Sequence, residues 1–122
     1  MTSIYPGYKK QVIYAREEFV RSLFPEDVVL VSSARAGLVL GLKAFGFSRK
    51  DEIWVPPYLS HCVLSALSRV MMPALGPSPR TKAVLVWHQF GFVGDVDKIQ
   101  QLAKTNGWVV IQDCACSLFS KK

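Results

Sequence analysis

The sequence predicts an α/β fold, a three-layer α/β/α sandwich with a mainly parallel sheet. Short segments of continuous apolar residues alternate with stretches of about ten residues that show helical periodicity. The apolar segments lack the polar alternation of a half-exposed strand, which is typical of strands covered on both faces. Helices that alternate with such strands cover both faces of a parallel sheet.

Two helices and two strands are predicted in the first half of the chain. The first helix is amphipathic and ends before Pro25, and the second begins at an N-cap of Ser32 and Ser33 and ends at Gly46. A proline pair at 56–57 stops the second strand. In chain order these elements are a helix at 9–23, a strand at 28–31, a helix at 34–45 and a strand at 53–55.

The second half of the chain continues the alternation. A stretch rich in proline and glycine at 73–79 is interpreted as a connection between a helix and the next strand. Asp95 caps the last helix, and the pair Asn106-Gly107 stops it. In chain order these elements are a helix at 60–70, a strand at 83–87, a helix at 96–105 and a strand at 109–111.

Length and composition narrow the class of protein. The 122 residues allow one domain with one core, predicted at 25–122 and preceded by an amino-terminal helical segment at 1–24. The net charge is +6, but the basic residues are scattered, so no nucleic-acid partner is expected. The apolar runs are too short to span a membrane and no signal peptide is recognised, which predicts a cytoplasmic protein. The three cysteines are interpreted as buried free thiols.

Asp113 is the first candidate for a functional residue. It follows the apolar run at 109–111, where an acid would lie at the carboxyl end of a buried strand, the edge at which open α/β sheets bind ligands. A buried carboxylate needs a cationic or hydrogen-bonded partner, and a protonated pyridine nitrogen would serve. The alternative is an acid that caps the following helix or turn.

Three other junctions between a strand and a helix carry candidate residues. The small residues and hydroxyls at 32–38 could present backbone N–H groups to a phosphate, although Ser32 and Ser33 also make an ordinary cap. His61 follows the proline pair and could face a planar ligand, or could be a hydrogen-bonded surface histidine. His88 could line a pocket or bond a neighbouring backbone group, and both interpretations stay open.

Taken together, the junctions resemble one family. The sequences SARAGL at 33–38, KDEIWVP at 50–56, RTKAVLVWHQFG at 80–91 and IQDCA at 111–115 occur in the order and near the spacing of DegT/StrS-type aminotransferases. The similarity extends over 28–115. These aminotransferases are fold type I enzymes that use pyridoxal phosphate (PLP), and many of them aminate keto-sugars joined to nucleotides. The resemblance implies that 25–122 is part of the large domain of such an enzyme, with PLP as its cofactor.

The resemblance also implies roles for single residues. The backbone around Ala34 and Arg35 would hold the cofactor phosphate, and Asp113 would pair with the pyridine nitrogen. Counting from Pro56 places the family's ring-stacking aromatic residue at Ser60, which cannot stack, so His61 would have to replace it. Cys116 stands where the family usually has glutamine, at a position that contacts the cofactor.

Two departures from the family pattern limit the expected function. The family has an extra strand and connecting segment between the equivalents of Val70 and Arg80, where this chain has only 71–79. Its Schiff-base lysine also comes well after the aspartate, whereas Lys121 and Lys122 follow Asp113 by fewer than ten residues. The expectation is a catalytically incomplete chain whose bare strand edges favour self-association.

Three interpretations of the function remain open at this point. The first is a shortened, catalytically incomplete chain of a DegT/StrS-type aminotransferase; a homo-oligomer or docking on a full-length homologous subunit is the partner expected. The second is a non-enzymatic α/β module for binding or dimerisation. The third is a different small α/β domain whose junctions match the family by chance.

Overall fold

The computed structural model describes residue 18 and residues 21–23, 29–87 and 96–114. The chain divides into two compact units, Met1–Val31 and Ser32–Lys122. Residues 18, 21 and 22 are helical, and the rest of the helix predicted at 9–23 lies outside the described residues, apart from Leu23 in a turn. The boundary predicted between 24 and 25 stays a prediction.

Three helices and four strands form the described part of the second unit. The helix α1 begins after Ser33, whose Oγ accepts a hydrogen bond of 3.1 Å from the backbone N–H of Ala36, and it ends before Gly46, which has φ +78°. The elements are α1 (Ala34–Ala44), β1 (Glu52–Trp54), α2 (His61–Ser68), β2 (Met72–Ala74), β3 (Thr81–Trp87), α3 (Val96–Asn106) and β4 (Val109–Asp113).

The four strands form a parallel sheet in the order β2-β1-β3-β4. The connection from β1 through α2 runs to one side of the sheet, and the connection from β3 through α3 runs to the other. Because such crossovers are right-handed, these two helices cover opposite faces. The three-layer α/β/α sandwich with a parallel sheet is therefore confirmed.

The main core lies between the sheet and the pair α1 and α2. Ile53, Leu67, Met71 and Ala83 are fully buried there, and Leu42 of α1 joins them at 1% exposure. On β3 the alternate residues at 84 and 86 are buried on the other face, where α3 contacts β3 and β4. The continuous apolar pattern of β3 is thus explained by helices on both faces.

Two sequence-based predictions about strands are wrong. Residues 29–31 do not form the predicted strand, and residue 28 lies outside the described residues. The stretch interpreted as a connection begins inside β2 (Met72–Ala74), which pairs with β1 in parallel. Pro73 hides this strand from sequence analysis, but a proline is tolerated because β2 lies at the edge of the described sheet.

A polar cluster closes the amino end of the sheet, and we call Glu52, Ser78 and Arg80 the amino-end clamp. The Ser78 hydroxyl donates to Glu52 Oε2, and Arg80 Nη1 lies 3.7 Å from Glu52 Oε1. Arg80 Nε also donates to the carbonyl oxygen of Lys50 at 2.9 Å. The clamp fixes the connection 75–80, which joins β2 to β3 without a helix.

Among the described residues, no helix has both the length and the apolar character that crossing a bilayer requires.

Candidate cofactor site at the carboxyl end of the sheet

The carboxyl ends of β3 and β4 lie side by side. Trp87 and Asp113, the last residues of these strands, are partners in the parallel register. The crossovers on either side of the β1–β3 pair run in opposite directions, so a crevice is expected beyond the carboxyl ends of the strands near this point. The structure places a cavity at this end of the sheet.

This cavity, which we call the cofactor cavity, has a volume of about 520 Å³. It falls within the range of roughly 300–1,000 Å³ that is common for small-molecule sites. It brings together Ala34, Arg35 and Asp113, three of the predicted site residues. The lining residues are Ala34, Arg35, Gly37, Leu38, Val63, Leu85, Ile111, Gln112, Asp113 and Cys114.

One wall of the cofactor cavity is the amino terminus of α1. The N–H groups of Ala36 and Gly37 donate to the side chain and carbonyl of Ser33, whereas those of Ala34 and Arg35 have no acceptor within the helix. The first turn of this 11-residue helix carries no acidic residue. Free N–H groups, the helix dipole and the charge of Arg35 make this wall suitable for an anion such as a phosphate.

Asp113 gives another part of the wall the opposite character. Its side chain is half-buried at the end of β4, and Val63, Leu85 and Ile111 supply apolar surface to the same cavity. A ligand with a phosphate, an apolar ring and a protonated nitrogen matches these three kinds of surface, so the residues present fit PLP. Of the described residues that line the cavity, none is a lysine.

The predicted ring-stacking residues lie elsewhere. His61 is exposed at the start of α2 and lines a second cavity, which shares Arg35 with the first. Ser60 is exposed before α2, and its Oγ lies 2.8 Å from Cys62 Sγ. The stacking role therefore stays a prediction. Cys116, together with His88 and Asp95, lies outside the described residues.

The thiols differ from the sequence-based interpretation. Cys62 and Cys114 are free as predicted, but both are exposed, so the prediction that they are buried is wrong. Cys114 lines the cofactor cavity beside Asp113. The pKa of the Cys62 thiol is lowered, first by its hydrogen bond with Ser60 and further by the positive charge of Arg35. The Cys62 thiol is therefore more readily ionised than the thiol of an unperturbed cysteine.

Sequence analysis missed most of the apolar lining of the cofactor cavity. Leu38 lies one helical turn after Ala34, so its position on the same face of α1 could have been anticipated. Leu85 and Ile111 are near the carboxyl ends of their strands and could have been expected at this edge. Val63 gave no such signal, because its position depends on the path of the loop between β1 and α2.

A parallel sheet in which a helix amino terminus and an acid at a strand end line one cavity is the arrangement of fold type I PLP-dependent enzymes. Comparison with known proteins points to the same class of enzyme. The family model described as "Putative PLP-dependent aminotransferase" matches residues 16–120. The chain belongs to this family of PLP-dependent aminotransferases.

The chain is also similar to individual sugar aminotransferases. It is 27% identical over 114 residues to dTDP-4-dehydro-2,3,6-trideoxy-D-glucose 4-aminotransferase of Saccharopolyspora spinosa, and the match covers 79% of this chain and 30% of the relative. It is 28% identical over 116 residues to dTDP-3-amino-3,4,6-trideoxy-alpha-D-glucose transaminase of Streptomyces venezuelae. This match covers 80% of this chain and 31% of the relative. The chain therefore spans about 30% of the length of these relatives.

Solved structures share the fold. The structure of ntda from Bacillus subtilis with bound cofactor PMP has a TM-score of 0.76 at 21% identity, and the match covers 87% of this chain and 29% of that one. A DegT DnrJ EryC1 StrS aminotransferase from Brucella abortus has a TM-score of 0.73 at 17% identity. The match covers 89% of this chain and 36% of that one. The resemblance to the DegT/StrS family is thus confirmed at the level of the fold.

Proposed function

We propose that this chain is the cofactor-holding part of a sugar aminotransferase and that the 122-residue polypeptide binds PLP without a covalent bond. One observation carries the proposal: Ala34, Arg35 and Asp113 line a single cavity. The names of the similar proteins, which are transaminases of deoxy-sugars joined to dTDP, support a nucleotide-linked sugar as the substrate of the complete enzyme.

The amino terminus of α1 would hold the phosphate. The N–H groups of Ala34 and Arg35 donate hydrogen bonds to phosphate oxygens, and the guanidinium of Arg35 adds a charge of the opposite sign. The Ser33 Oγ accepts a hydrogen bond from the N–H of Ala36, which keeps the first turn in place. This wall therefore orients the cofactor without any rearrangement of the helix.

Asp113 would hold the ring. Its carboxylate accepts a hydrogen bond from the protonated pyridine nitrogen and stabilises that proton, while Leu85 and Ile111 restrict the access of water. When bound, PLP supplies a ring that accepts electrons from the substrate. The role of Asp113 is to keep that ring protonated.

The isolated polypeptide is proposed to have no aminotransferase activity. Transamination needs an amine that holds the cofactor and moves the substrate proton, and no described residue lining the cofactor cavity is a lysine. Lys121 and Lys122 lie outside the described residues.

Titration of the purified polypeptide with PLP tests the proposal, with the quenching of tryptophan fluorescence as the signal. Asp113→Asn keeps the shape of the side chain and removes its charge, so it should weaken binding. The matched control is Asp97→Asn in the first turn of α3, which does not line the cavity and should bind like the original chain.

Borohydride reduction followed by mass spectrometry tests the absence of a covalent bond. The expected result is no lysine modified in stoichiometric yield. A single lysine modified in full would contradict the proposed lack of an amine, and equal PLP affinity in the Asp113→Asn variant would contradict the proposed site.

We also propose that the chain associates with another subunit. Exposed apolar residues on α1, Leu40 at 59% and the following Phe45 at 60% exposure, offer a surface for contact with a second copy or a full-length homologous subunit. Sedimentation of the polypeptide alone and with a full-length relative measures this directly. A monomer at high concentration that also fails to join the relative would rule it out.

A further inference from the structure

A second cavity lies between α1 and α2, and we call it the α1–α2 cavity. Its volume is about 630 Å³. It shares only Arg35 with the cofactor cavity. The polar side chains that line it belong to Ser33, Arg35, His61, Cys62, Ser65 and Arg69.

The charges around the α1–α2 cavity are unbalanced. Arg35 and Arg69 contribute two positive charges, and no described lining residue is acidic. Within the described part of the chain, neither arginine takes part in a salt bridge. Like charges around one concave surface repel each other, and an anion placed between them removes that repulsion.

We propose that the α1–α2 cavity binds a small phosphoryl anion with at least two negative charges, such as pyrophosphate. Guanidinium groups pair with phosphate oxygens in a bidentate manner, and the hydroxyls of Ser33 and Ser65 can donate further hydrogen bonds. The remaining lining is aliphatic, with no Phe, Tyr or Trp on which a nucleotide base could stack. The free anion is therefore the ligand favoured by this cavity, and its binding requires no PLP.

Cys62 reports on the occupancy of this cavity. Its Sγ lies 2.8 Å from Ser60 Oγ, and the charge of Arg35 helps to lower the pKa of the Cys62 thiol. A bound anion would offset that charge and cover the sulfur. Both effects reduce the reaction of the thiolate with a neutral alkylating reagent.

The test measures the alkylation rate of Cys62 by iodoacetamide, with peptide mapping by mass spectrometry to separate it from the other cysteines. Sodium pyrophosphate should slow the reaction several-fold, whereas sodium chloride at equal ionic strength should not. Arg69→Ala should abolish the protection, because Arg69 lines only this cavity. Lys43→Ala removes one charge from α1 outside both cavities, and pyrophosphate should still protect Cys62 in this variant.

The ³¹P linewidth of pyrophosphate gives a second readout that does not depend on the thiol. Broadening by the original chain and by Lys43→Ala, but not by Arg69→Ala, is the expected result. Circular dichroism establishes that each variant is folded. No broadening and no protection by pyrophosphate, or equal effects in Arg69→Ala, would overturn the proposal.

The outcome is separable from that of the proposed cofactor site. Asp113→Asn should lose affinity for PLP and keep the protection of Cys62 by pyrophosphate, whereas Arg69→Ala should do the reverse. A chain that binds PLP but not pyrophosphate would sink only the second site.

Discussion

The polar groups at the two ends of the sheet differ in whether they are bonded within the protein. At the amino end, Glu52, Ser78 and Arg80 bond to one another and to the backbone. At the carboxyl end, the N–H groups of Ala34 and Arg35 have no acceptor within their helix, and both residues line a cavity together with Asp113.

This difference separates the residues that hold the fold from those available to a ligand. Polar groups that bond to each other stabilise the connection 75–80 and leave little capacity for an outside molecule. Donors at the start of α1 keep that capacity. We therefore expect substitutions at the amino end to change the free energy of unfolding, and substitutions at the carboxyl end to change binding.

The largest effect is expected for Ala34→Pro. Proline is tolerated at the first position of a helix, and Ser33 already has the extended backbone that precedes a proline, with φ −158° and ψ 159°. The substitution removes one N–H donor and should weaken PLP binding roughly 10- to 100-fold, or by about 1.5–3 kcal/mol. Fluorescence titration measures the affinity, and urea unfolding should show nearly unchanged stability.

Unchanged PLP affinity in a folded Ala34→Pro variant would mean that the phosphate does not bind at the start of α1. Ala34→Ser is the matched control, because it changes the side chain at the same position and keeps the N–H group.

A smaller effect is expected at the amino end for Glu52→Gln. The Glu52 side chain is only 16% exposed and accepts from Ser78, so loss of its charge should lower the free energy of unfolding by about 1–2 kcal/mol. Arg80 is 56% exposed and can be solvated by water, which keeps the cost moderate. Urea denaturation measures the change. A weakened affinity for PLP in this variant would break the separation between the two ends.

Gly107→Ala should cost about 1 kcal/mol of stability, because Gly107 has φ +71° after α3, a conformation that alanine adopts at a cost. Gly41→Ala is the counterpart inside α1, where nothing lies within 4 Å of the added methyl group, and it should stabilise the chain by about 0.5–1 kcal/mol. Thermal unfolding of both variants checks the opposite signs. Equal signs would show that backbone conformation does not decide these two positions.

The smallest effect concerns the pH dependence of Cys62. The hydrogen bond with Ser60 is the main cause of the lowered pKa of the Cys62 thiol, so the thiolate forms at a lower pH than in an ordinary cysteine. Ser60→Ala should shift the midpoint of the pH profile of iodoacetamide alkylation to higher pH. At a fixed pH below that midpoint, the reaction should be a few-fold slower. An unchanged profile would remove Ser60 as the cause.

Much of the fold could be predicted because its signals are local. The helices α1 and α3 follow from caps and periodicity, and Asn106-Gly107 stops α3 as expected, with the N–H of Trp108 bonding back to Ala103. The strand β2 could not be predicted, since Pro73 argues against a strand unless its place at the sheet edge is known. The error at 29–31 has the same origin, because an apolar run alone does not show whether a partner strand is available.

The candidate site divides in the same way. The resemblance to the aminotransferase family implied cofactor contacts at Ala34, Arg35 and Asp113, and the structure brings these three residues to one cavity. Ser60 and His61 were placed by counting from Pro56. Counting cannot give the direction of a side chain after a loop, and in the structure it is Val63 that lines the cofactor cavity.

Pro73 has one more consequence. Met72 donates its N–H to Asp51, and Ala74 accepts from Val55, so these two residues direct their backbone groups toward β1. Pro73 lies between them, where an ordinary residue would point its N–H outward. In the described sheet, the outer border of β2 thus lacks a donor at its midpoint, which makes it a poor template for the stacking of strands into fibrils.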